Sequence, residues 1–170
     1  PRLQADIELV VKYKIPIVIT SVGNPKDVVE AVHSYGGQVY ADIASVHHAK
    51  KAIAVGVDGL ILLCAGSGGQ TGWGNPFAFT RAVRAIFDGT IRLAGGITEG
   101  VSIRAAKMLG ADLVYMGTQF ITATESMANQ PYREMVVNAE MDDILLTKAF
   151  SGLNANMLIP SIKAAGLDPN

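Results

Sequence analysis

Short apolar runs alternate with amphipathic stretches along most of the chain, and glycines mark many of the changeovers. Ile15-Pro-Ile-Val-Ile-Thr-Ser21 is rich in β-branched residues and apolar at odd and even positions alike. That is the pattern of a strand covered on both faces, as in parallel sheets. Asn24-Pro25 reads as an N-cap with proline at the first helical position, starting a helix over 26–35 that Gly36-Gly37 stops. A second strand is predicted over 38–43. Ser45 then caps a helix to about Val55, and Gly56 closes it. A third strand over 59–64 is apolar throughout. After a glycine-rich loop over 65–74, Asn75-Pro76 starts another helix, to about Phe87. Strands over 90–94 and 112–116 follow, separated by a helix that Thr98 caps and Gly110 stops. Beyond Phe120 the rhythm loosens. Residues 131–139 read as a helix, 142–150 fit neither period, 151–160 read as a loop, and 160–165 as a short last helix.

Ala54-Val-Gly-Val-Asp58 and Met108-Leu-Gly-Ala-Asp112 echo each other, each placing a helix end, a glycine and an aspartate just before an apolar strand. Strands alternating with helices of about a dozen residues imply βαβ units and a parallel sheet. The glycine signals fall after the third, fourth and fifth strands, in consecutive βα loops, where a (β/α)8 TIM barrel assembles its active-site rim. A dinucleotide-binding sheet would concentrate them after the first strand. Closure takes eight strands and roughly 250 residues. The expectation is therefore an α/β chain holding the C-terminal five βα units of a TIM barrel, with about three units upstream. Residues 1–122 form the barrel part, and residues 123–170 a helical and loop segment packing on it.

Composition narrows the partners. With 14 basic and 15 acidic residues and a net charge of −1, the chain offers neither a nucleic-acid footprint nor a polybasic membrane anchor. The uncharged stretch 59–80 contains six glycines and a proline, so it is not a lipid-facing helix. The N-terminal Pro-Arg-Leu-Gln carries neither an initiator methionine nor the apolar core of a signal peptide. A single cysteine, Cys64, excludes an internal disulfide framework and fits a reducing, cytoplasmic setting. Self-association is left open.

Gly95-Gly96 and Gly117-Thr118 end adjacent strands, where missing side chains leave backbone N–H groups able to approach an anion. The loops after the last two strands of a barrel are its usual phosphate grip, and the Thr118 hydroxyl adds a donor. The loop Ala65-Gly-Ser-Gly-Gly-Gln-Thr-Gly72 lacks both the third glycine of a dinucleotide fingerprint and the Gly-Lys-Ser/Thr of a nucleotide P-loop. It suits backbone contact with a flat ring, and Gln70 is its side chain with both donor and acceptor capacity.

The segments Gly59-Leu-Ile-Leu-Leu-Cys-Ala-Gly-Ser-Gly-Gly-Gln-Thr-Gly72, Leu93-Ala-Gly-Gly-Ile97 and Tyr115-Met-Gly-Thr-Gln-Phe120 resemble the nitronate monooxygenases, FMN-dependent barrels formerly called 2-nitropropane dioxygenases. These are related to the flavin-containing enoyl-acyl-carrier-protein reductases. The tail Ala149-Phe-Ser-Gly-Leu-Asn-Ala-Asn156 is similar to that family's C-terminal segment. The resemblance covers nearly the whole chain. It implies that Gly95, Gly96, Gly117 and Thr118 grip the FMN phosphate, with Met116 packed beside it. Gly68 and Gly69 would lie against the isoalloxazine ring or ribityl chain. The activity implied is oxidation of a small-molecule nitronate by molecular oxygen.

Two positions depart from the family pattern. Its Ala-Gly-Gly-His loop ends here in Gln70, and the lysine that some members carry at the end of the preceding strand aligns with Asp42. An amide cannot accept a proton at neutral pH, so Gln70 serves as a hydrogen-bond donor to substrate and not as a general base. A nitronate is already deprotonated. The expectation is turnover of alkyl nitronates, with weak turnover of neutral nitroalkanes unless another residue is the base.

The remaining polar residues are weaker candidates. His47 and His48 are adjacent on a helix and diverge by about 100°, so they suit solvent better than a shared metal, and no metal site is expected. One of them remains a replacement base, since that helix start faces the rim. His33 reads as a surface residue, Cys64 as a small core residue, and Trp73, Phe77 and Phe79 as a substrate mouth or simple packing. Glu140, Asp142 and Asp143 read as a solvated face. Two rival functions stay open: an FMN enzyme using NAD(P)H to reduce quinones or enoyl thioesters, and a non-catalytic barrel that binds a phosphate ligand. A phosphosugar isomerase lacks an evident base.

Overall fold

A computed structural model describes residues 2–169. Helix α1 (Leu3–Tyr13) leads to β1 (Ile17–Thr20), α2 (Lys26–His33), β2 (Gln38–Ile43), α3 (Val46–Ala54) and β3 (Gly59–Leu63). The loop after β3 contains a two-residue strand, β4 (Gly69–Gln70), before α4 (Pro76–Arg84). Then come β5 (Thr90–Ala94), α5 (Gly100–Met108), β6 (Leu113–Tyr115), α6 (Thr118–Ile121) and α7 (Gln130–Asn138). A 3-10 turn (Met141–Asp143), β7 (Ile144–Thr147), β8 (Ala155–Leu158) and α8 (Ile159–Ala164) complete the order. No helix among the described residues is long and apolar enough to cross a membrane.

Strands β1, β2, β3, β5 and β6 form one parallel sheet in that order. This is the arc of a (β/α)8 barrel, with helices on its outer face. Val39, Ala41 and Ile43 of β2 alternate outward with Leu60, Leu62, Ile91 and Leu93, and pack against Val28, Val29, Val32, Ala49, Ala52, Phe79 and Val83 of the helices. Each aliphatic side chain fully buried there contributes about 1.5–3 kcal/mol. The inward positions are Tyr40, Ile61, Leu63 and Ala94, with Arg92 stacked on the Tyr40 ring at 3.6 Å. A Cβ on Gly59 would collide with that ring, so the glycine makes room for Tyr40 inside the barrel.

The outer strands depart from the two-faced burial expected over 15–21. Ile17 and Ile19 are 45% and 43% exposed, and Leu113 and Tyr115 of β6 are 49% and 43% exposed. Val18 and Val114 of the same strands pack on the helix-side core. The exposed set is therefore the inward face of the two edge strands, which have no further strand beyond them among the described residues.

Several boundaries follow the local capping chemistry. Ser45 accepts the His48 N–H at 3.1 Å and Asn75 the Phe77 N–H at 2.9 Å, as the cap signals predict. At α2 the cap position is Pro25, with Asn24 accepting the Lys26 N–H from one residue earlier. Thr98 is not the cap of α5: Glu99 takes that position, and Ser102 Oγ accepts the N–H groups of Thr98 and Glu99. Residues 155–158, read as loop, are strand β8, paired antiparallel with β7 on one side and β4 on the other. Ala-Asn-Met-Leu carries no β-branched residue, and its extended form comes from two partners instead of local propensity.

The two echoed aspartates share one job at the strand-entry end. Asp58 Oδ2 accepts the Val39 N–H at 2.7 Å, and Asp112 Oδ2 accepts the Ile91 N–H at 2.8 Å. Each carboxylate thus ties the start of its strand to the strand before it. His33, expected on open surface, donates its Nε2–H to Asp58 Oδ2 at 2.9 Å, and Arg84 plays the matching part for Asp112.

Candidate functional site

Three glycine turns meet at the carboxyl ends of β3, β5 and β6. Gly66, at φ +92°, lies with its Cα face toward the Gly96 nitrogen, 3.5 Å from where a Cβ would stand. The Gly96 N–H donates to the Gly66 carbonyl at 3.3 Å. Gly95, at φ +123°, has only 3.0 Å to the Ser67 hydroxyl and 3.1 Å to the Ala65 carbonyl at the same position. A Cβ on Gly68 would strike the Thr118 hydroxyl. The loops after β3, β5 and β6 are therefore in contact; the approach itself needs glycine at 68 and 95, and the positive φ needs it at 66.

Beside Gly69, Gly96 and Gly117 the space is open, with no atom of the described residues within 4 Å of an added Cβ. Gly69 and Gly96 have φ values of +71° and +67°, backbone that a side chain would strain. The structure thus brings together Gly68, Gly69, Gly95, Gly96, Gly117 and Thr118 on one rim, with half-buried Met116 leading into it. The result is a surface of exposed backbone, suited to an anion and a flat ligand.

Two buried hydroxyls hold the first loop, and the sequence reading gave them no role. Ser67 Oγ lies 2.9 Å from the Cys64 carbonyl and 3.0 Å from the Ala94 carbonyl, joining the ends of β3 and β5. Thr71 Oγ1 donates to the Cys64 carbonyl at 2.8 Å. Both residues are nearly inaccessible, flanked by glycines at the end of a buried strand, and that placement was their signal.

The C-terminal tail reaches the same loop. Asn156 Nδ2 donates to the Ser67 carbonyl at 2.8 Å. Its backbone pairs with Gly69, Ala155 pairs with Gln70, and Thr71 donates its N–H to the Asn154 carbonyl at 3.0 Å. Gln70 is held by its backbone in β4 while its side chain stays exposed, free to meet a ligand.

Asp42 is the last inward residue of β2. Its Oδ1 is buried with no hydrogen-bond partner among the described residues. Burial pushes its carboxyl above the ordinary value, partly offset by a hydrogen bond with Ser21. Two residues on, Ala44 packs against Gly72, with its carbonyl 3.1 Å and its Cα 3.3 Å from where a Gly72 Cβ would stand. Asp42 thus stands on the wall beneath the glycine loop.

The other candidates lie apart. His47 and His48 are exposed in the first turn of α3, with ring centroids 6.2 Å apart. No cluster of three metal-ligating side chains occurs among the described residues. Cys64 is fully buried, and burial pushes its thiol up to about 12, so it is no nucleophile. Trp73 and Phe77 are largely exposed, whereas Phe79 belongs to the core.

Residues 2–163 match the family model for nitronate monooxygenase. The chain is 31% identical over 152 residues to the nitronate monooxygenase of Paraburkholderia phytofirmans, covering 84% of this chain and 42% of that protein. It is 29% identical over 169 residues to a probable nitronate monooxygenase of Staphylococcus haemolyticus, covering 91% and 46%. The chain thus spans about half the length of these relatives. Among solved structures it superposes on FabK from Thermotoga maritima with a TM-score of 0.85 and 31% identity, over 93% of this chain and 51% of that one. Nitroalkane oxidase from Streptomyces ansochromogenes matches with a TM-score of 0.86 and 25% identity, over 92% and 48%.

Proposed function

The chain belongs to the nitronate monooxygenase family, and from that premise we propose that the whole protein is an FMN-dependent oxidoreductase oxidising alkyl nitronates with molecular oxygen. The observation that carries the reading is the convergence of three glycine turns on one rim, Gly66 against Gly96 and Gly68 against Thr118. The donor set there suits a phosphate: backbone amides at open glycines, with a hydroxyl beside them. The bare backbone at 68 and 69 suits a flat ring.

In this reading Gly95, Gly96, Gly117 and Thr118 hold the phosphate, and Met116 packs beside it. The Gly96 N–H makes a long 3.3 Å bond to the Gly66 carbonyl. A phosphate oxygen, as a charged acceptor, competes well for it. Gly68 and Gly69 lie along the ring or ribityl chain, while Ser67, Thr71 and Asn156 fix the loop that carries them. FMN held by these residues would supply the redox chemistry between nitronate and dioxygen. Gln70 donates its amide N–H to a nitronate oxygen, which fixes the substrate and favours its negative charge. Water exclusion falls to the apolar inward residues Ile61, Leu63 and Ala94.

The test is the visible spectrum of the purified full-length protein, mass identification of the released cofactor, and anaerobic titration. Bound FMN bleached by ethyl nitronate and not by NAD(P)H is the expected result. Absence of flavin overturns the reading. Bleaching by a nicotinamide alone would move the protein to quinone or enoyl thioester reduction, and a flavin that no donor reduces would make it a ligand-binding barrel.

A further inference from the structure

The glycine loop offers no proton acceptor, yet the wall beneath it holds one. We propose that Asp42 is the general base that lets this protein take neutral nitroalkanes, carbon acids with a proton next to the nitro group, as well as their nitronates. The inference deepens the functional reading above and rests on it for the fate of the nitronate formed.

The position argues first. Tyr40 and Asp42 are the last two inward residues of β2, while Ala41 and Ile43 between and after them pack on the helices. Asp42 is the later of the two, level with Ile61 of β3 in the strand register. It therefore sits at the rim end, where barrels place their reacting groups. The contact of Ala44 with Gly72 puts the same strand end against the loop that carries Gly68, Gly69 and Gln70.

The chemistry argues second. Ser21 is hydrogen-bonded to the carboxyl group, and Oδ1 is buried without a partner. A buried acceptor left unpaired is costly, and each such group in a native protein calls for an explanation, of which a catalytic role is one. No lysine, arginine or histidine is paired with this carboxylate among the described residues, although Asp58 and Asp112 elsewhere each have a basic partner. Arg92, the cation on the same inward face, is committed to the Tyr40 ring. Desolvation holds the carboxyl above the ordinary range, closer to the working pH of a proton acceptor.

The step is a simple proton transfer. The α C–H bond breaks heterolytically and its proton moves to the Asp42 carboxylate. The electron pair enters the C=N bond of the nitronate, whose charge rests on the nitro oxygens beside the Gln70 amide. The carboxylic acid then returns its proton to solvent. The charged or titratable groups on surrounding elements are Tyr40 on β2, Arg92 on β5, Tyr115 on β6, and His47 and His48 at the start of α3.

The experiment uses the full-length, FMN-loaded enzyme and its Asp42→Asn and Asp42→Glu variants. Exchange of the nitroethane α-protons with D2O, followed anaerobically by proton NMR, reads deprotonation without flavin turnover. Steady-state kcat/KM is measured in parallel on neutral nitroethane and on pre-formed ethyl nitronate. Asp42→Asn is expected to lose about 10²-fold or more in exchange and in neutral-substrate kcat/KM, with nitronate kcat/KM within about twofold. Asp42→Glu, which keeps the carboxylate, restores part of the exchange. Wild-type enzyme that oxidises nitronate but exchanges no protons overturns the inference and leaves the function standing. Exchange without nitronate oxidation overturns the function and leaves Asp42 as a base. Equal loss on both substrates in Asp42→Asn, unrelieved in Asp42→Glu, makes the residue merely structural and also overturns the inference.

Discussion

The side-chain amide of Asn156 donates to the carbonyl of Ser67 at 2.8 Å, joining positions 89 residues apart. Ser67 is in turn bonded to the ends of β3 and β5, so the C-terminal tail reaches the floor of the proposed flavin loop through two hydrogen bonds. Asn156→Ala removes the donor and leaves the carbonyl short of a partner, at about 1–3 kcal/mol. Expressed in the loop, that loss weakens FMN binding by roughly tenfold. Flavin-fluorescence titration checks it, and an unaltered dissociation constant would show that the tail does not position the loop.

Gly68 and Thr118 test the contact between the first and third turns. Gly68→Ala drives a methyl into the Thr118 hydroxyl, and overpacking of this kind costs about 1–3 kcal/mol. Thr118→Ala removes the obstruction together with a phosphate donor. In a double-mutant cycle on thermal stability, the pair should show a favourable coupling of about 0.5–3 kcal/mol. FMN affinity should not recover with it, because the hydroxyl is gone. Strictly additive stability effects would mean that the two loops do not press on one another in solution.

Most of the parallel sheet was legible because buried strands and capped helices announce themselves locally. Residues 38–43 and 90–94 have the strand bounds their apolar runs imply, and Ser45 and Asn75 cap where their side chains allow. The tail was illegible for the opposite reason. Strand β8 has no local propensity and exists because β4 and β7 flank it, and that pairing spans about 85 residues of sequence. The glycine rim was readable as three separate turns. Their contact through Gly66, Gly68 and Gly95 is a property of the barrel arc. The same holds for Asp42, whose orphaned oxygen emerges only once β2 is seen to turn it inward beneath Gly72.

Asp112 makes stability depend on acid. Burial works upward on its carboxyl, but the Ile91 N–H and the hydrogen bond and charge of Arg84 outweigh it and hold the group below its ordinary 3.8. A carboxylate depressed in the folded state contributes stability that is present above pH 3.8 and lost as pH falls through the lower folded value. Asp112→Asn keeps an oxygen acceptor but cannot titrate, so its melting temperature should fall less steeply across that acid window than the wild type's. Asp112→Ala leaves the fully buried Ile91 without a partner for its N–H, and should lower the melting temperature at neutral pH by roughly 3–10 °C. Identical acid limbs for wild type and Asp112→Asn would remove Asp112 from this role.

Cys64 should be silent toward thiol reagents. It is fully buried, and burial pushes its thiol up to about 12, so at pH 8 almost none is thiolate. Native protein is expected to resist iodoacetamide over hours, and denatured protein to react with one equivalent per chain. Cys64→Ala should retain nitronate turnover while losing about 1 kcal/mol of stability to the small cavity. Rapid labelling of the folded protein would place the thiol at the rim instead of in the core.

Gln70→His tests how the loop and the wall divide the proton chemistry. The backbone of residue 70 is held by Ala155 in β8 and its side chain is exposed, so a new side chain leaves the β4–β8 pairing intact. An imidazole is mostly neutral above its usual pKa of about 6.5 and accepts a proton where the amide cannot. In an Asp42→Asn background, Gln70→His should therefore raise neutral-nitroethane kcat/KM by about tenfold or more at pH 8. Ethyl nitronate, which needs no base, should change by no more than about threefold. The gain should vanish as pH falls below the imidazole's pKa. A gain of equal size on both substrates would mean that residue 70 governs binding alone, and no gain at all would place its side chain out of reach of the α-carbon.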